Sequence, residues 1–424
     1  MLAPTPASPE SAGMSTAALD RLEAHLKSRY LDSGRFPGTQ LLIYRRGKIV
    51  HSTVQGFADL ERKAPMKDDT IFRIYSMTKP ITSVAFMMLV EEGKVALDEP
   101  VAKYIPEWKN LGVFVAGTAP AFLTRPPTRP MQIVDLLRHT SGLTYGFQQR
   151  SNVDAAYREK KIGEVIKAGT LDGIIEDLAK IPLEFSPGEA WNYSVSTDVL
   201  GYLVGKIAGM PFEQFLKERI FKPLGMNDTD FFVPADKAHR FAACYSADPQ
   251  GGFNPLAAER KGTLTLQDDP TTSTFLSPPS LISGGGGLCS TAADYLTFCR
   301  ALLNGGDLGG VRLLGPKTLK LMASNHLPGG VDLPAMSRSM FAEAAYNGIG
   351  FGLGFAVTMH PAQTLIAGSP GEFNWGGAAT TSFFIDPAEE LITIFMTQVL
   401  PSSAYPLRRE LRTMVYAAIT ESNL

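Results

Sequence analysis

The chain has 424 residues, 44% of them hydrophobic and 19% charged, which is enough apolar sequence for a large core and too much for an intrinsically disordered protein. Its 40 basic and 42 acidic residues leave a formal charge of -2, without the basic excess that is typical of nucleic-acid-binding proteins. This length predicts two to three domains, or one large α/β unit with an inserted lobe.

The N-terminal part of the chain is predicted to begin with a helix and a β-hairpin. Helical spacing of leucines runs over residues 15–30, with Ser15 as the expected N-cap. Strand-like runs at 40–44 and 48–54 are joined by an Arg-Arg-Gly turn, which predicts a β-hairpin. An apolar helix is predicted over 77–92, and the glycine that follows it marks its end.

The middle and the C-terminal part differ in pattern. Further helices are predicted over 131–137, 171–180, 197–208 and 212–221. Strands are predicted over 348–359, 379–385 and 391–398, and a last helix over 404–419. The polar, Gly- and Pro-rich stretch 248–287 is predicted to wall a cleft.

Hairpins at both chain ends predict a mixed α/β (α+β) fold, with one antiparallel sheet flanked by helices and built from both termini. A mainly helical domain with long loops is inserted in it. The expected boundaries are 1–80 and 287–424 for the sheet domain and 81–286 for the helical domain. The active site is expected in the cleft between them.

The sequence argues against a membrane-spanning segment and against a metal site. Its longest apolar run, at 84–90, is far shorter than the ~18 residues that cross a bilayer, and its N-terminus lacks the pattern of a secretory signal. A cytoplasmic protein is therefore expected, with no membrane or nucleic-acid partner and a possible homo-oligomeric state. The six histidines form no zinc-binding pattern, so no metal or cofactor is expected. The three cysteines are expected to be buried, reduced thiols; they are Cys244, Cys289 and Cys299.

Two common nucleophile and phosphate motifs are also missing from the sequence. There is no G-x-S-x-G elbow and no G-x-x-x-x-G-K-[ST] loop. The run of glycines at 284–287 has no lysine after it, so we expect it to be structural and to open the helix that begins near Ser290.

One S-x-x-K sequence remains, and it joins Ser76 to Lys79. A spacing of three places both side chains on one helix face, and the helix N-terminus favours developing negative charge at the serine. A lysine in a dry pocket can lose its proton and act as a base. The alternative is a helix cap with a solvated lysine. The apolar helix that follows favours the chemical interpretation, because a buried lysine needs a partner.

At this point the chain resembles the serine β-lactamase and penicillin-binding-protein superfamily, especially its class C branch, over nearly its whole length. The stretches that carry the resemblance are FRIYSMTKPITS around Ser76, LLRHTSGL at 136–143, FSPGEAWNYSVSTDVLGYLV at 185–204, PLGMNDT at 223–229, SGGGGLCSTAADYLTF at 283–298 and FNWGGAATTSFFIDP at 373–387.

Two motifs depart from the β-lactamase pattern. The Tyr-x-Asn motif reads Tyr193-Ser194-Val195, and the place of Lys-Thr-Gly reads Trp375-Gly376-Gly377. Both changes resemble the family VIII carboxylesterases, which use the class C fold on simple esters. Loss of a cation and two polar side chains makes the pocket less suited to a carboxylate and more suited to a neutral group.

The resemblance implies a role for each matching position. Ser76 is the expected nucleophile, Lys79 its base or proton relay, and Tyr193 a second general acid/base. The oxyanion is expected between the backbone N–H groups of Ser76 and Ala378. The residues expected to contact the substrate are Val195, Trp375, Gly376 and Gly377.

Several of these residues have structural alternatives. Tyr193 could cap a helix, Trp375 could be a core residue, and Gly376 and Gly377 could serve only to permit close backbone approach. Arg138 and His139 are expected to organise the loop below the cleft.

The sequence thus predicts a serine carboxylesterase (EC 3.1.1 type) that acts on short-chain esters through an acyl-enzyme. Alternatives of the same fold are a β-lactamase or D-amino-acid peptidase, and an acyltransferase. A catalytically dead binding module is the alternative from another class. Retention of the serine, lysine and tyrosine together argues against it.

Overall fold

The computed structural model describes residues 6–164, 169–247, 263–338 and 346–423. Residues 248–262, which belong to the stretch 248–287 predicted to wall a cleft, lie outside the described residues.

The strands, in chain order, are β1 Gly38–Arg45, β2 Lys48–Asp59, β3 Ala64–Pro65, β4 Phe72–Arg73, β5 Val113–Thr118, β6 Ala121–Arg125, β7 Cys244–Ser246, β8 Thr265–Asp268, β9 Cys289–Ser290, β10 Asp307–Leu308, β11 Val311–Arg312, β12 Ile349–Phe351, β13 Ala356–Thr358, β14 Phe373–Gly376, β15 Ser382–Asp386, β16 Leu391–Met396 and β17 Val399–Leu400.

The α-helices are α1 Thr16–Leu26, α2 Thr78–Glu91, α3 Ile133–Leu137, α4 Asn152–Glu159, α5 Leu171–Leu178, α6 Ser196–Ala208, α7 Phe212–Leu216, α8 Lys222–Leu224, α9 Ala292–Leu303, α10 Pro316–Met322, α11 Leu333–Met336, α12 Pro361–Thr364 and α13 Leu407–Ala417.

Within the described residues, the main sheet has eight strands in the order β12-β13-β14-β15-β16-β1-β2-β3. Neighbouring strands are antiparallel throughout. The N-terminal strand β1 pairs with the C-terminal strand β16, from Gln40 opposite Met396 to Arg45 opposite Leu391. The predicted antiparallel sheet built from both chain ends is therefore confirmed, while the two domain boundaries stay a prediction.

Helices cover both faces of this sheet, so all residues of β1 and β16 are buried. On one face, α1 and α13 pack their leucines against Leu41 and Phe395. On the other face, α9 packs against β15 and β16, with the ring of Tyr295 on that of Phe383. Helix α2 is buried from Thr78 to Leu89 and also contacts α6 of the helical part. A buried central helix after Ser76 is what the apolar sequence predicts.

Several element boundaries differ from the predictions for local reasons. The α-helix predicted from residue 77 begins at Thr78, and Ser76 lies in the 3-10 turn before it. The strand predicted from residue 379 begins at Ser382, because Thr380 has a φ of 68° in a turn. Ser15 caps α1 as predicted, since its side chain accepts the N–H of Ala18.

Three further outcomes concern single segments. The segment 348–359 forms two strands, β12 and β13, instead of one. The hairpin of β5 and β6 was not predicted. All three cysteines are buried and free, as expected.

Candidate active site

A cavity of about 530 Å³ lies between the helical part of the molecule and the C-terminal half of the sheet. Ser76, Tyr145 and Tyr193 line one side of it, and Trp375 and Ala378 line the other. The predicted nucleophile, its tyrosine and the predicted oxyanion residues therefore meet at one cavity, although 117 positions separate Ser76 from Tyr193 in the chain.

Ser76 lies at a sharp change from strand to helix. Strand β4 pairs with β9, and Ile74 continues this pairing by donating its N–H to the carbonyl of Leu288. The next residue, Tyr75, has a φ of 43°, in the left-handed region that costs a non-glycine residue ~1–3 kcal/mol. This strained residue turns the chain at once into the helical turn that presents Ser76 to the cavity.

Lys79 is 2% exposed and contacts Ser76 directly. Its Nζ donates to Ser76 Oγ at 3.2 Å, to Tyr145 Oη at 3.1 Å and to the carbonyl of Gly285 at 2.6 Å. An ammonium group has three donors, so these three acceptors satisfy it completely. The buried lysine is thus fixed in place beside the serine, as the S-x-x-K spacing predicts.

Tyr193 makes a second contact with Ser76. Its Oη donates to Ser76 Oγ at 2.7 Å. Lys79 Nζ lies 4.5 Å from the centre of the Tyr193 ring, which adds an attraction between cation and ring. Two donors on a single serine oxygen favour negative charge on that oxygen, which is what a nucleophile develops when it loses its proton.

Tyr145 was missed by the sequence analysis, although it follows the LLRHTSGL stretch by two residues. Its hydroxyl accepts the hydrogen bond of Lys79. Burial, together with the carboxylate of Asp198, raises the pKa of Tyr145 well above its ordinary value, so it remains a neutral phenol. No spacing rule links Tyr145 to Lys79, because the contact exists only once α2 and the helical part pack together.

The glycine run at 284–287 has a larger part in the site than predicted. Besides the bond from Lys79 to Gly285, the carbonyl of Gly284 accepts Thr82 Oγ1 at 2.8 Å. Asp198 holds the segment by accepting the N–H of Gly285 and the hydroxyl of Ser283. The following helix begins at Ala292, capped by Thr291, close to the predicted position.

Val195 does not reach the cavity. It is fully buried at the start of α6, its N–H donates to the carbonyl of Thr144, and it is not among the described residues that line the cavity. In the described part of the chain, the structure therefore gives no contact that supports its predicted role toward the substrate. Its position below the wall leaves it a packing role.

The opposite wall is formed by the end of β14 and the turn after it. Trp375 lies on β14 opposite Phe383 of β15, and its ring packs on Tyr193 with centroids 5.5 Å apart. A Cβ on Gly377 would lie 2.4 Å from the carbonyl oxygen of Ile74. The glycine thus permits the close approach between this wall and the segment that leads into Ser76.

His139, which was expected to organise the loop below the cleft, packs against Tyr193. Its Nδ1 is 3.2 Å from Ser194 Oγ, and its ring centre is 5.0 Å from that of Tyr193. Burial, reinforced by the charge of Lys79, lowers the pKa of His139 well below its ordinary value. The imidazole is therefore a neutral support for the tyrosine.

Two absences hold for the described part of the chain. No group of His, Cys, Asp and Glu side chains there is arranged to bind a metal ion. No helix there is both long and apolar enough to cross a membrane.

Comparison with known proteins places this site in a family. Residues 19–417 match the family model described as Beta-lactamase. Protein Rv1367c of Mycobacterium tuberculosis is 37% identical over 374 residues, covering 87% of this chain and 88% of the relative. Esterase EstB of Burkholderia gladioli is 32% identical over 396 residues, covering 90% of this chain and 91% of the relative.

A solved structure gives the same result for the fold. EstCE1, described as a hydrolase with promiscuous acyltransferase activity, superposes with a TM-score of 0.75 and 27% identity, covering 96% of this chain and 99% of that chain. With a serine, lysine and tyrosine joined at one cavity, the resemblance to family VIII esterases is confirmed. The chain belongs to the beta-lactamase family and is a serine hydrolase with the serine β-lactamase fold.

Proposed function

We propose that this protein is a carboxylesterase that hydrolyses small, uncharged carboxylic esters through an acyl-enzyme on Ser76. The observation that carries the proposal is the pair of hydrogen bonds from Lys79 and Tyr193 to the serine oxygen, in a cavity whose far wall has an indole where β-lactamases have a lysine.

In the first half of the reaction, Ser76 Oγ attacks the ester carbonyl carbon. Its proton passes to Lys79 or Tyr193, whichever of the two has lost its own. The carbonyl oxygen becomes an oxyanion, which accepts the backbone N–H groups of Ser76 and Ala378. When the C–O bond breaks, the proton reaches the leaving alkoxide through Tyr193, which is reprotonated by Lys79 where Lys79 was the base, and the alcohol departs.

In the second half, water attacks the acyl-enzyme and the same groups act in reverse. Water gives a proton to the Lys79–Tyr193 pair, and the serine oxygen receives one as its bond to the acyl carbon breaks. The carboxylic acid leaves, and Ser76 is restored. No cofactor or metal enters this sequence of proton transfers.

The third motif supports uncharged substrates, because Trp375-Gly376-Gly377 has no side-chain cation. The arginines of α13 at the cavity stand outside this motif: Arg408 donates to backbone carbonyls and Arg412 pairs with Glu372. A β-lactam carboxylate would lack the charge-assisted hydrogen bond that lysine and threonine supply elsewhere in the family. Such a bond contributes roughly 1.5–3 kcal/mol, so its loss costs about one to two powers of ten in kcat/KM.

An acyltransferase is the second candidate. It is favoured by EstCE1, whose description includes promiscuous acyltransferase activity. The acyl-enzyme on Ser76 would be the same, and an alcohol would replace water in the second half. Adding a short alcohol to the ester assay and measuring the transesterified product would distinguish the two.

The proposal is tested with p-nitrophenyl esters of increasing acyl length and a chromogenic cephalosporin on one preparation at one pH. We expect efficient turnover of the short esters, and a cephalosporin kcat/KM that is lower by about two powers of ten or more. Ser76→Ala should abolish ester hydrolysis, and a serine-directed phosphonate should label only the wild type. Label on another serine, or cephalosporin turnover equal to that of the best ester, would contradict the proposal.

A further inference from the structure

We infer that Arg408 is a positioning residue for the oxyanion site: its guanidinium orients and polarises the peptide group between Gly377 and Ala378, whose N–H is the proposed donor to the oxyanion. The inference rests on the proposed function. It concerns a residue of α13 that no sequence motif of the site includes.

The contact that carries the inference is made at the far end of that peptide group. Arg408 Nη2 donates to the carbonyl oxygen of Gly377 at 2.9 Å. This oxygen and the N–H of Ala378 belong to one planar, conjugated unit. A charged donor on the oxygen draws electron density toward it and makes the N–H at the other end a stronger donor, because hydrogen bonds in a chain polarise one another.

The same guanidinium also closes the turn in which this peptide lies. Arg408 Nη2 donates to the carbonyl of Thr381 at 3.2 Å, and Thr381 accepts the N–H of Gly377 at 2.8 Å. The N–H of Thr380 donates to Gly377 at 3.2 Å. Arg408 therefore bridges both ends of the turn and fixes the plane of the peptide. Orientation before reaction is what makes such a donor effective in catalysis.

Gly376 provides the space that this contact requires. A Cβ at Gly376 would lie 2.4 Å from Arg408 Nη2, too close for two non-bonded atoms. Gly376 does not have a positive φ, so backbone conformation does not explain the glycine. The first glycine of the Trp-Gly-Gly motif thus leaves space for the guanidinium and for the carbonyl oxygen of Thr381, which would lie 2.8 Å from the same Cβ, while Gly377 serves the approach to Ile74.

The anchoring of α13 makes Arg408 a fixed group. Leu407 and Leu411, on the same helix, are buried in the core beneath the sheet, and Arg408 itself is half-buried. The guanidinium thus presents a fixed positive charge behind the peptide. When the oxyanion forms on the cavity side, this charge also stabilises it electrostatically.

The test measures Arg408→Met and Arg408→Lys against the wild type. The readouts are kcat and KM for p-nitrophenyl butyrate, per active site titrated with the phosphonate, and Ki for an alkyl trifluoromethyl ketone. The ketone forms a tetrahedral adduct with the serine that carries an oxyanion, so its Ki reports on the oxyanion site. Titrating the active sites removes any contribution from misfolded protein.

We expect Arg408→Met to lower kcat about tenfold to a hundredfold, with KM changed by less than about threefold, and to raise Ki by a similar factor. Arg408→Lys keeps a cationic donor, so its kcat and Ki should lie between those of the wild type and those of Arg408→Met. In a third variant, Arg408→Ala, which leaves space for the ion, added guanidinium should restore part of the lost kcat. The charge control is Arg409→Met, an exposed neighbour at the cavity rim, which should leave the ratio of Ki to KM unchanged.

Wild-type kcat and Ki in Arg408→Met would overturn the inference while leaving the proposed function intact. A similar rise in Ki relative to KM in Arg409→Met would also overturn it, because the effect would then be that of any nearby charge. A wild type that the phosphonate does not label at Ser76 would overturn the proposed function and this inference together.

Discussion

The two walls of the cavity differ in whether they supply side-chain or backbone groups to the reaction. One wall, called the helical wall, consists of Ser76 and Lys79 at the start of α2 together with Tyr145 and Tyr193, and it supplies side chains that hold protons. The sheet wall supplies backbone, namely the peptide after Gly377, with Arg408 behind it. Replacing a side chain of the helical wall removes a chemical group. The backbone of the sheet wall can be altered only through the residues that shape it.

The helical wall should show the largest effects. Lys79→Ala and Tyr193→Phe should each lower kcat by ~10²–10⁴-fold, the range for lost general acid/base catalysis. The double variant should lose much less than the product of the two, because both groups act on the same serine proton. The measurement is kcat for a p-nitrophenyl ester in all three variants.

A matched pair on α6 controls for these substitutions. Lys206 Nζ donates to Tyr202 Oη at 3.2 Å on the exposed side of the helix. Lys206→Ala and Tyr202→Phe should leave kcat unchanged. Full activity in Tyr193→Phe would mean that this tyrosine is structural and that the comparison between the walls is wrong.

The sheet wall should respond to Gly376→Ala with a smaller loss, about tenfold or more in kcat, because the added Cβ would clash with the guanidinium of Arg408 and with the carbonyl oxygen of Thr381 to which it donates. Removing Arg408 as well should add little to this loss, since both changes break the same contact. Measuring kcat in Gly376→Ala, Arg408→Ala and the double variant checks this.

Gly368→Ala serves as the control for a glycine near β14. The nearest atom to its added Cβ is 3.4 Å away, an ordinary contact, so kcat should stay at the wild-type value. Independent losses in Gly376→Ala and Arg408→Ala that multiply in the double variant would show that the glycine does not act through the arginine.

The smallest effect concerns His139, which supports Tyr193, and it appears in the free energy of unfolding. Folding lowers the pKa of His139 from its ordinary value of 6.5, so below that pH the unfolded chain binds a proton that the folded protein excludes. The contribution of His139 to the free energy of unfolding is therefore full above pH ~6.5. It is lost as the pH falls, by up to ~1.4 kcal/mol per pH unit.

Denaturant unfolding of the wild type and His139→Gln at several pH values measures this contribution. The difference in unfolding free energy between them should decrease as the pH falls from about 8 to about 5, because the contributions of other groups cancel in the subtraction. A difference that is constant with pH would mean that His139 titrates normally in the folded protein.

The sequence predicted most of the helical wall because its chemistry follows short spacings. Ser76 and Lys79 are three residues apart on one helical turn, and Tyr193 stands in a motif that can be recognised. Tyr145 escaped prediction because nothing local links it to Lys79, 66 positions away. Val195 was assigned to the substrate for the opposite reason: the motif gives its place in the chain and not the direction of its side chain.

By itself the sequence determined the antiparallel sheet from both chain ends, the buried helix after Ser76 and the serine, lysine and tyrosine of the site. These follow from periodicity, apolar runs and local spacing, which act over a few residues. Only the tertiary structure decided that Gly285 offers its carbonyl to Lys79, that Arg408 reaches the peptide of Ala378, and that Val195 is buried away from the cavity. Each of these is a contact between distant segments, fixed by how the helical part and α13 pack on the sheet. No local pattern encodes the direction in which such a backbone group or long side chain points.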